Sequence, residues 1–363
     1  MGEGKYLEIV LGGKPNSFIS IFEAHWSRCL EEMPMRYSHS EQLTTGNRLR
    51  PMLVCWGHIL SNTDLTKESL EEVAELSVGI ELLHKGSIFV DDVIDNDEAR
   101  HGKKTFHVEH GYNEAVLFSV NLLTYSLERI HKHFRTNTAS ANDYADKIHL
   151  YIETIRNMST GALEEITNPQ SELFIVANVH RLIELQTTSI IKNSLLLGYL
   201  TKSPKGEISE YIEKIGSLSG YVFQLLNDLE PFSSEAKTTL HKGVYNIDIT
   251  KARKNIVVAY LFELMTKSEQ KDLSVMLSSG KSSQEVSNTL ASLFKKYDID
   301  TLIIDEVEQL YKQINSLITK LGASSIDVER VEEFKGFIKM ILIKSFERLG
   351  SVYYEKLSPI LIN

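Results

Sequence analysis

An all-α fold is predicted by three observations. Long windows repeat apolar residues every three or four positions, only 7 prolines interrupt 363 residues, and no strand-like alternation of the V-x-V-x-V kind occurs. Val73, Leu76, Ile80 and Leu83 form one helical stripe that runs into the acidic sequence FVDDVID. Ile303, Val307, Leu310, Ile314, Leu317 and Leu321 form a second, and Val331, Phe334, Phe337 and Ile341 a third. Helix stops are expected at the polar run TNTASAN, at NPQS (168–171), at KSPKG (202–206) and at SGKSS (279–283). With no linker-like stretch between the halves, residues 1–363 read as a single domain of roughly ten or more helices. Many of these helices are apolar over a wide face, as suits a bundle built around a central apolar cavity.

Composition narrows the function. Lys and Arg number 39 against 49 Asp and Glu, a formal net charge of -10, and no basic stripe stands out, so a nucleic-acid partner is not expected. Two cysteines, Cys29 and Cys55, are too few for a disulfide framework and match no zinc spacing. No apolar run reaches the length of a membrane span, and Tyr6 stands where a myristoylation signal after Gly2 wants Ser or Thr. The expectation is a cytoplasmic protein whose phosphate-bearing ligands, if any, are held by local cations or a metal.

Such a place is found in FVDDVIDNDEARHGKKT. On a helix, Asp91 and Asp95 stack one turn apart and Asp92 flanks them. Three carboxylates so close repel one another unless cations lie between them, and Mg²⁺ takes hard oxygen ligands of this kind together with substrate phosphates. Arg100 adds a fixed cation suited to phosphate. A solvated acidic helix end would give the same four letters. The small and apolar approach through Gly86, Ser87, Ile88, Phe89 and Val90 argues instead for a cluster closing an apolar cavity.

ELLHKGSIFVDDVIDNDEARHGKKTFH resembles the first aspartate-rich region of the trans-isoprenyl diphosphate synthases, the polyprenyl synthetase family. GNRLRPMLV (46–54), TGALEE (160–165), QTTSIIKNSLLLG (186–198), FQLLND (223–228) and DITKARKNI (248–256) follow the family's order over roughly residues 40 to 350. The resemblance implies an isoprenoid-synthase helical bundle, a homodimer, and two facing acidic clusters that clamp an allylic prenyl diphosphate through Mg²⁺. By resemblance Asp91, Asp92 and Asp95 hold metal and Arg100 binds the diphosphate. Glu165, Thr187, Phe223, Gln224, Lys242 and Arg253 fall at or near further substrate positions, and Arg50 and His84 on the side of the prenyl acceptor. Gly86 and Ser87, where short-chain members carry aromatic floors, imply room for a chain of farnesyl or geranylgeranyl length; small residues that merely permit helix packing, with Phe89 as the floor, are the alternative.

Several positions depart from the family. Asn47 and His101 replace cations that would hold isopentenyl diphosphate, and Gln186 replaces a diphosphate-binding lysine. Each charge-assisted hydrogen bond lost costs about 1.5 to 3 kcal/mol. At the second cluster Asn227 and Asp228 remain, with Asp228 and Asn227 expected to keep a weakened metal site. Pro231 follows, and Glu230 stands one place short of the third ligand, about 100° around an ideal helix. Asn227 and Glu235 also keep the outer spacing of a terpene-cyclase metal site whose central serine is here Pro231. The leading expectation is a Mg²⁺-dependent prenyltransferase with an acceptor other than isopentenyl diphosphate. A conventional synthase, a class I terpene cyclase and a non-catalytic subunit of a heteromeric synthase are the alternatives. The remaining candidates, His107 and His110 as solvated loop histidines and Tyr353 and Tyr354 as a closing pair, are assigned no chemistry.

Overall fold

The computed structural model describes residues 18–33, 40–61, 65–100, 102–138, 140–233, 254–278 and 283–361. Lys242, Arg253, His101 and Glu235 lie outside these. Among the described residues the chain is all α apart from one two-stranded hairpin, Ala99–Arg100 paired antiparallel with Lys103–Lys104.

In order, α1 (Phe18–Glu32) and the short α2 (Glu41–Thr44) precede α3 (Leu49–Ser61) and the long α4 (Lys67–Asp95). Thr66 caps α4, its hydroxyl accepting from the Ser69 N–H while Ser69 answers the Thr66 N–H, so two N-terminal donors are satisfied at once. Asn96 ends the helix in a left-handed conformation, φ 51°, one residue after the last aspartate. After α5 (Phe106–His110) come α6 (Tyr112–Asn137) and α7 (Ala141–Thr167). α8 (Val176–Ile183) joins α9 (Ser189–Tyr199) through a π-helical turn, Glu184–Thr188, and α10 spans Glu207–Leu229. The C-terminal part holds α11 (Ile256–Leu264), α12 (Lys267–Ser278), α13 (Ser283–Lys296), α14 (Ile299–Gly322), α15 (Val328–Leu349) and α16 (Ser351–Leu357). Helices end at or beside TNTASAN, NPQS and KSPKG, and all of SGKSS but Ser283 lies outside the described residues.

Burial follows the predicted stripes. Val73, Leu76, Ile80 and Leu83 of α4 are buried, as are Ile303, Val307, Ile314 and Leu321 of α14; Leu310 and Leu317 flank the latter and are half-buried. Trp56 of α3 stacks on Phe334 and Phe337 of α15, with ring centroids 5.7 and 5.6 Å away, fastening the N-terminal half to the C-terminal one. α3 and α9 cross backbone to backbone. A Cβ on Gly57 would stand 2.0 Å from the Leu195 carbonyl oxygen, and one on Gly198 2.0 Å from that of Val54, so only glycine permits this approach.

Gly86 serves the same purpose. A Cβ there would meet the Ser119 carbonyl at 3.3 Å and Leu122 and Leu123 at 3.4 Å, all on α6. Its smallness lets α4 and α6 pack, which corrects the reading of Gly86 as room for a prenyl chain. Phe89 is not a cavity floor either: it is 2% exposed and stacks with Phe106 and Phe118 in a closed aromatic cluster between α4, α5 and α6. Ser87 turns its hydroxyl back to the His84 carbonyl.

Candidate active site

The first acidic cluster sits at the C-terminal end of α4. Asp92 is buried, Asp91 is exposed (51%), and Asp95 follows a turn later, half-buried. The hairpin after α4 reverses the chain through Gly102, φ 76°, and brings Arg100 back under the helix end. There Arg100 Nε donates to Asp92 Oδ1 at 2.7 Å, and Nη2 lies 2.6 Å from the same oxygen, 3.3 Å from Asp91 Oδ2 and 3.9 Å from Asp97 Oδ2. Burial pushes the Asp92 carboxyl above the usual carboxylate range, with Arg100 opposing. Burial also works against the Arg100 charge, but Asp92 and Asp91 outweigh it and hold the guanidinium protonated. One monovalent cation thus serves several carboxylates.

Among the described residues no three His, Cys, Asp or Glu side chains are gathered closely enough to form a ready-made metal cage. A Mg²⁺ site does not need one, since the ion keeps waters and takes substrate oxygens beside one or two carboxylates. The α4 end fits that requirement: Asp91, Asp92 and Asp95 lie within one helical turn and Asp91 faces outward, 51% exposed.

The second cluster is built differently. Asp228, at the end of α10, is buried, and both its carboxylate oxygens already accept protein donors. Oδ1 takes Gln224 Nε2 at 2.6 Å and Oδ2 takes the Ile256 N–H at 2.8 Å. Its carbonyl accepts from Asn255 Nδ2 at 3.0 Å, and Asn255 in turn caps α11 through the Val258 N–H. Asp228 therefore seats the first turn of α11, where backbone N–H groups favour an anion. Thr187, in the π turn, donates to Gln224 Oε1 at 2.8 Å and completes the chain. Asn227 turns the other way, its Oδ1 accepting from Arg348 Nη2 of α15 at 2.6 Å. Glu230 Oε2 lies 3.8 Å from Arg348 Nη1, and the same guanidinium covers the Phe223 ring at 5.8 Å. Pro231 stands in a 3₁₀ turn, Glu230–Phe232, with no side-chain oxygen to offer. These residues do not fit a metal site of the first kind.

Lys254 lies between the two walls. Its Nζ donates to Glu165 Oε2 at 2.8 Å and to Gln186 Oε1, and its N–H donates to Glu165 Oε1 at 3.2 Å; Gln186 Nε2 donates to Glu165 Oε2 at 2.9 Å. Burial would lower the ammonium's pKa, but Glu165, Asp91 and Asp228 raise it above the ordinary value. Burial would likewise raise the Glu165 carboxyl, and Lys254 with Gln186 holds it below the usual range. Arg253, expected near this position, lies outside the described residues; Lys254, in the same run KARKN, is a described cation here.

Near His84, Arg48 is a structural residue. It donates to Glu23 Oε1 and Glu81 Oε1 at 2.8 Å each and to the Thr44 carbonyl at 2.9 Å, and it lies over the Trp26 ring. Lys85 donates to the Gln42 and Thr45 carbonyls at 2.9 and 2.5 Å, and burial pulls its pKa down to about 8 with Glu81 opposing. Asn47 spends its Oδ1 on the Leu49 N–H at the start of α3. Arg50 is left with a buried Nε that meets no acceptor among the described residues, and burial lowers its pKa to about 10. His84 is pushed well below its ordinary pKa by burial and then by Arg50, Lys85, Arg100 and Arg48, so it is neutral at neutral pH.

The remaining candidates are structural. His107 is buried against Tyr112 and Thr105 and is not a solvated loop residue. Tyr353 is buried and donates to Asp300, whereas Tyr354 is exposed. A cavity of about 320 Å³ lined by Phe232, Phe294, Asp300 and Tyr353, and a polar one of about 400 Å³ beside Glu41 and Lys103, contain none of the acidic-cluster residues.

The sequence signature described as Polyprenyl synthetase matches residues 33–294. The geranylgeranyl diphosphate synthase of Sulfolobus acidocaldarius is 23% identical over 81% of this chain and 87% of its own length. Heptaprenyl diphosphate synthase component 2 of Bacillus subtilis is 24% identical over 77% and 76%. In three dimensions the chain is similar to heptaprenyl diphosphate synthase from Staphylococcus aureus, with TM-score 0.76, 20% identity and 89% and 96% of the two chains covered. Geranylgeranyl pyrophosphate synthetase from Pyrococcus horikoshii gives 0.75, 19%, 89% and 95%. With an all-α bundle, an aspartate-rich helix end and this match, the chain belongs to the polyprenyl synthetase family and is a prenyltransferase.

Proposed function

We propose that the protein ionises an allylic prenyl diphosphate with Mg²⁺ bound at Asp91, Asp92 and Asp95, and passes the prenyl group to an acceptor other than isopentenyl diphosphate. Mg²⁺ there supplies positive charge against the diphosphate as it departs. Arg100 and Lys254 are the protein cations set to bind that diphosphate, and Phe223 and Gln224 line the wall opposite. Buried apolar side chains on α4 and α10 keep water from the electron-poor carbon until the acceptor attacks.

The observation that carries the acceptor reading is the charge inventory beside His84. Arg48 is neutralised by Glu23 and Glu81, Lys85 is turned onto two backbone carbonyls, His84 is neutral and Asn47 has no charge. Among the described residues beside His84, Arg50 remains to meet a headgroup, which suits a neutral or singly charged nucleophile better than a diphosphate. Incubation with Mg²⁺ and labelled farnesyl or geranylgeranyl diphosphate, with isopentenyl diphosphate or with aromatic nucleophiles, tests this. Transfer to the latter is expected; efficient elongation would establish the second reading, a conventional synthase, which the free Arg50 Nε and the retained His84 favour.

The homodimer belongs to the same proposal. Tyr112, Val116, Val120 and Leu127 form an exposed apolar stripe on α6, with Ile152, Leu163 and Ile166 exposed on α7, a surface suited to a second copy. Light scattering of Val120→Asp should show loss of the dimer. Among the described residues no helix is long and apolar enough to cross a membrane.

A further inference from the structure

The second wall lacks two of the three aspartates that the resemblance implies, and a cation from the far end of the sequence stands in it. Arg348 is the penultimate residue of α15. It arrives at Asn227 and Glu230 because the end of α15 is fastened to the turn that follows α10: Ser233 Oγ donates to the Leu349 carbonyl, and Gly350, φ 94°, stops the helix there. The guanidinium then donates to Asn227 Oδ1 at 2.6 Å, pairs with Glu230 at 3.8 Å and lies over Phe223. Three of its surroundings come from one stripe of the α10 end, at positions 223, 227 and 230, spaced by four and three.

Charge accounting explains why this residue type fits. An intact wall of three aspartates carries three negative charges and calls for divalent ions. Here Asn227 is neutral, Pro231 has no ligand, and Asp228 is satisfied by Gln224 and the α11 N-terminus. Glu230 is the one carboxylate left on the stripe, and a single permanent positive charge balances it. Guanidinium also keeps further N–H groups for phosphate oxygens once one is spent on Asn227, since Glu230 at 3.8 Å is an ion pair and not a hydrogen bond. The Arg348 side chain is 37% exposed, so it is not sealed in the pair it makes.

We infer that Arg348 is the built-in cation of the second wall: it stands in for the metal that the family's second aspartate cluster would hold, and binds the diphosphate directly, while metal is carried by the Asp91 cluster alone. The inference rests on the reading of the site as a diphosphate site. It differs from that reading in assigning the second wall no metal.

Inorganic pyrophosphate and Mn²⁺ serve as probes on the full chain. Calorimetry gives the pyrophosphate affinity at saturating Mn²⁺, and the electron paramagnetic resonance signal of free Mn²⁺ gives the number of ions bound. Arg348→Gln should weaken pyrophosphate by about tenfold or more, the equivalent of one charge-assisted hydrogen bond, and Arg348→Lys should recover part of the loss. The double variant Asn227→Ala, Glu230→Gln should bind as many Mn²⁺ ions as the parent, whereas Asp91→Ala should bind fewer. Thermal melts identify any variant that fails to fold, and Arg348→Lys and the double variant each test the idea without Arg348→Gln. An Mn²⁺ ion lost from the double variant, or unchanged pyrophosphate affinity in folded Arg348→Gln, overturns the inference. If the parent binds no pyrophosphate with Mn²⁺, the diphosphate reading itself fails and this one with it.

Discussion

Two helix ends face the same chemistry with opposite electrostatics. At the end of α4, Asp91, Asp92 and Asp97 share Arg100, and Asp91 looks outward. At the end of α10, both Asp228 carboxylate oxygens accept from Gln224 and Ile256, the Asn227 side-chain oxygen accepts from Arg348, and Glu230 pairs with the same guanidinium at 3.8 Å. An acidic residue serves a metal only while its charge is unspent. The first wall presents an outward carboxylate at Asp91, and the second joins α10, α11 and α15 while leaving the Arg348 side chain partly exposed.

This contrast can be broken experimentally. The largest effect is expected for Asp91→Ala, which removes the outward carboxylate: turnover of an allylic diphosphate should fall by about 100-fold or more, and a loss under tenfold would remove the first wall from catalysis. Asp228→Ala should act mainly on stability. It leaves the buried Ile256 N–H without its acceptor, at a cost of about 1 to 3 kcal/mol in urea denaturation, and turnover per folded molecule should fall less than in Asp91→Ala. Equal losses in turnover would contradict the division drawn between the walls. On the acceptor side, Asn47→Lys restores a charge and should tighten isopentenyl diphosphate binding about tenfold; no change by calorimetry would show that charge at position 47 does not set the acceptor.

The smallest effect is a pH dependence from Lys85. Its folded pKa of about 8 lies below the ordinary value of 10.5. Between these values the unfolded chain binds the proton more fully than the folded one, so this group's contribution to stability rises as pH increases from 8 to 10.5. Denaturation midpoints at pH 7.5 and 9.5, compared with Lys85→Met, should reveal a rise that the variant lacks. A pH-independent difference between the two proteins would show that Lys85 stays charged.

Much of this was legible before the fold. The stripes through Val73, Ile303 and Val331 predicted buried helix faces because burial selects one face of a 3.6-residue repeat, and those residues are buried. The α4 end was legible because its partners are local: Arg100 lies only eight residues from Asp92. Gly86 was misread because a glycine shows that something comes close without showing what; here it is α6. Lys254 was not legible because what marks it is the contact to Glu165, 89 positions away.

By itself, then, the sequence determined the helical class, the family and the acidic end of α4, all of which are written in periodicity and short-range spacing. Only the tertiary structure decided which carboxylates keep their charge. Arg348 reaches Asn227 across 121 residues, and Asp228 is spent on the first turn of a helix that begins 28 residues later. Charge is a property of a neighbourhood, and these neighbourhoods exist only once the helices have packed.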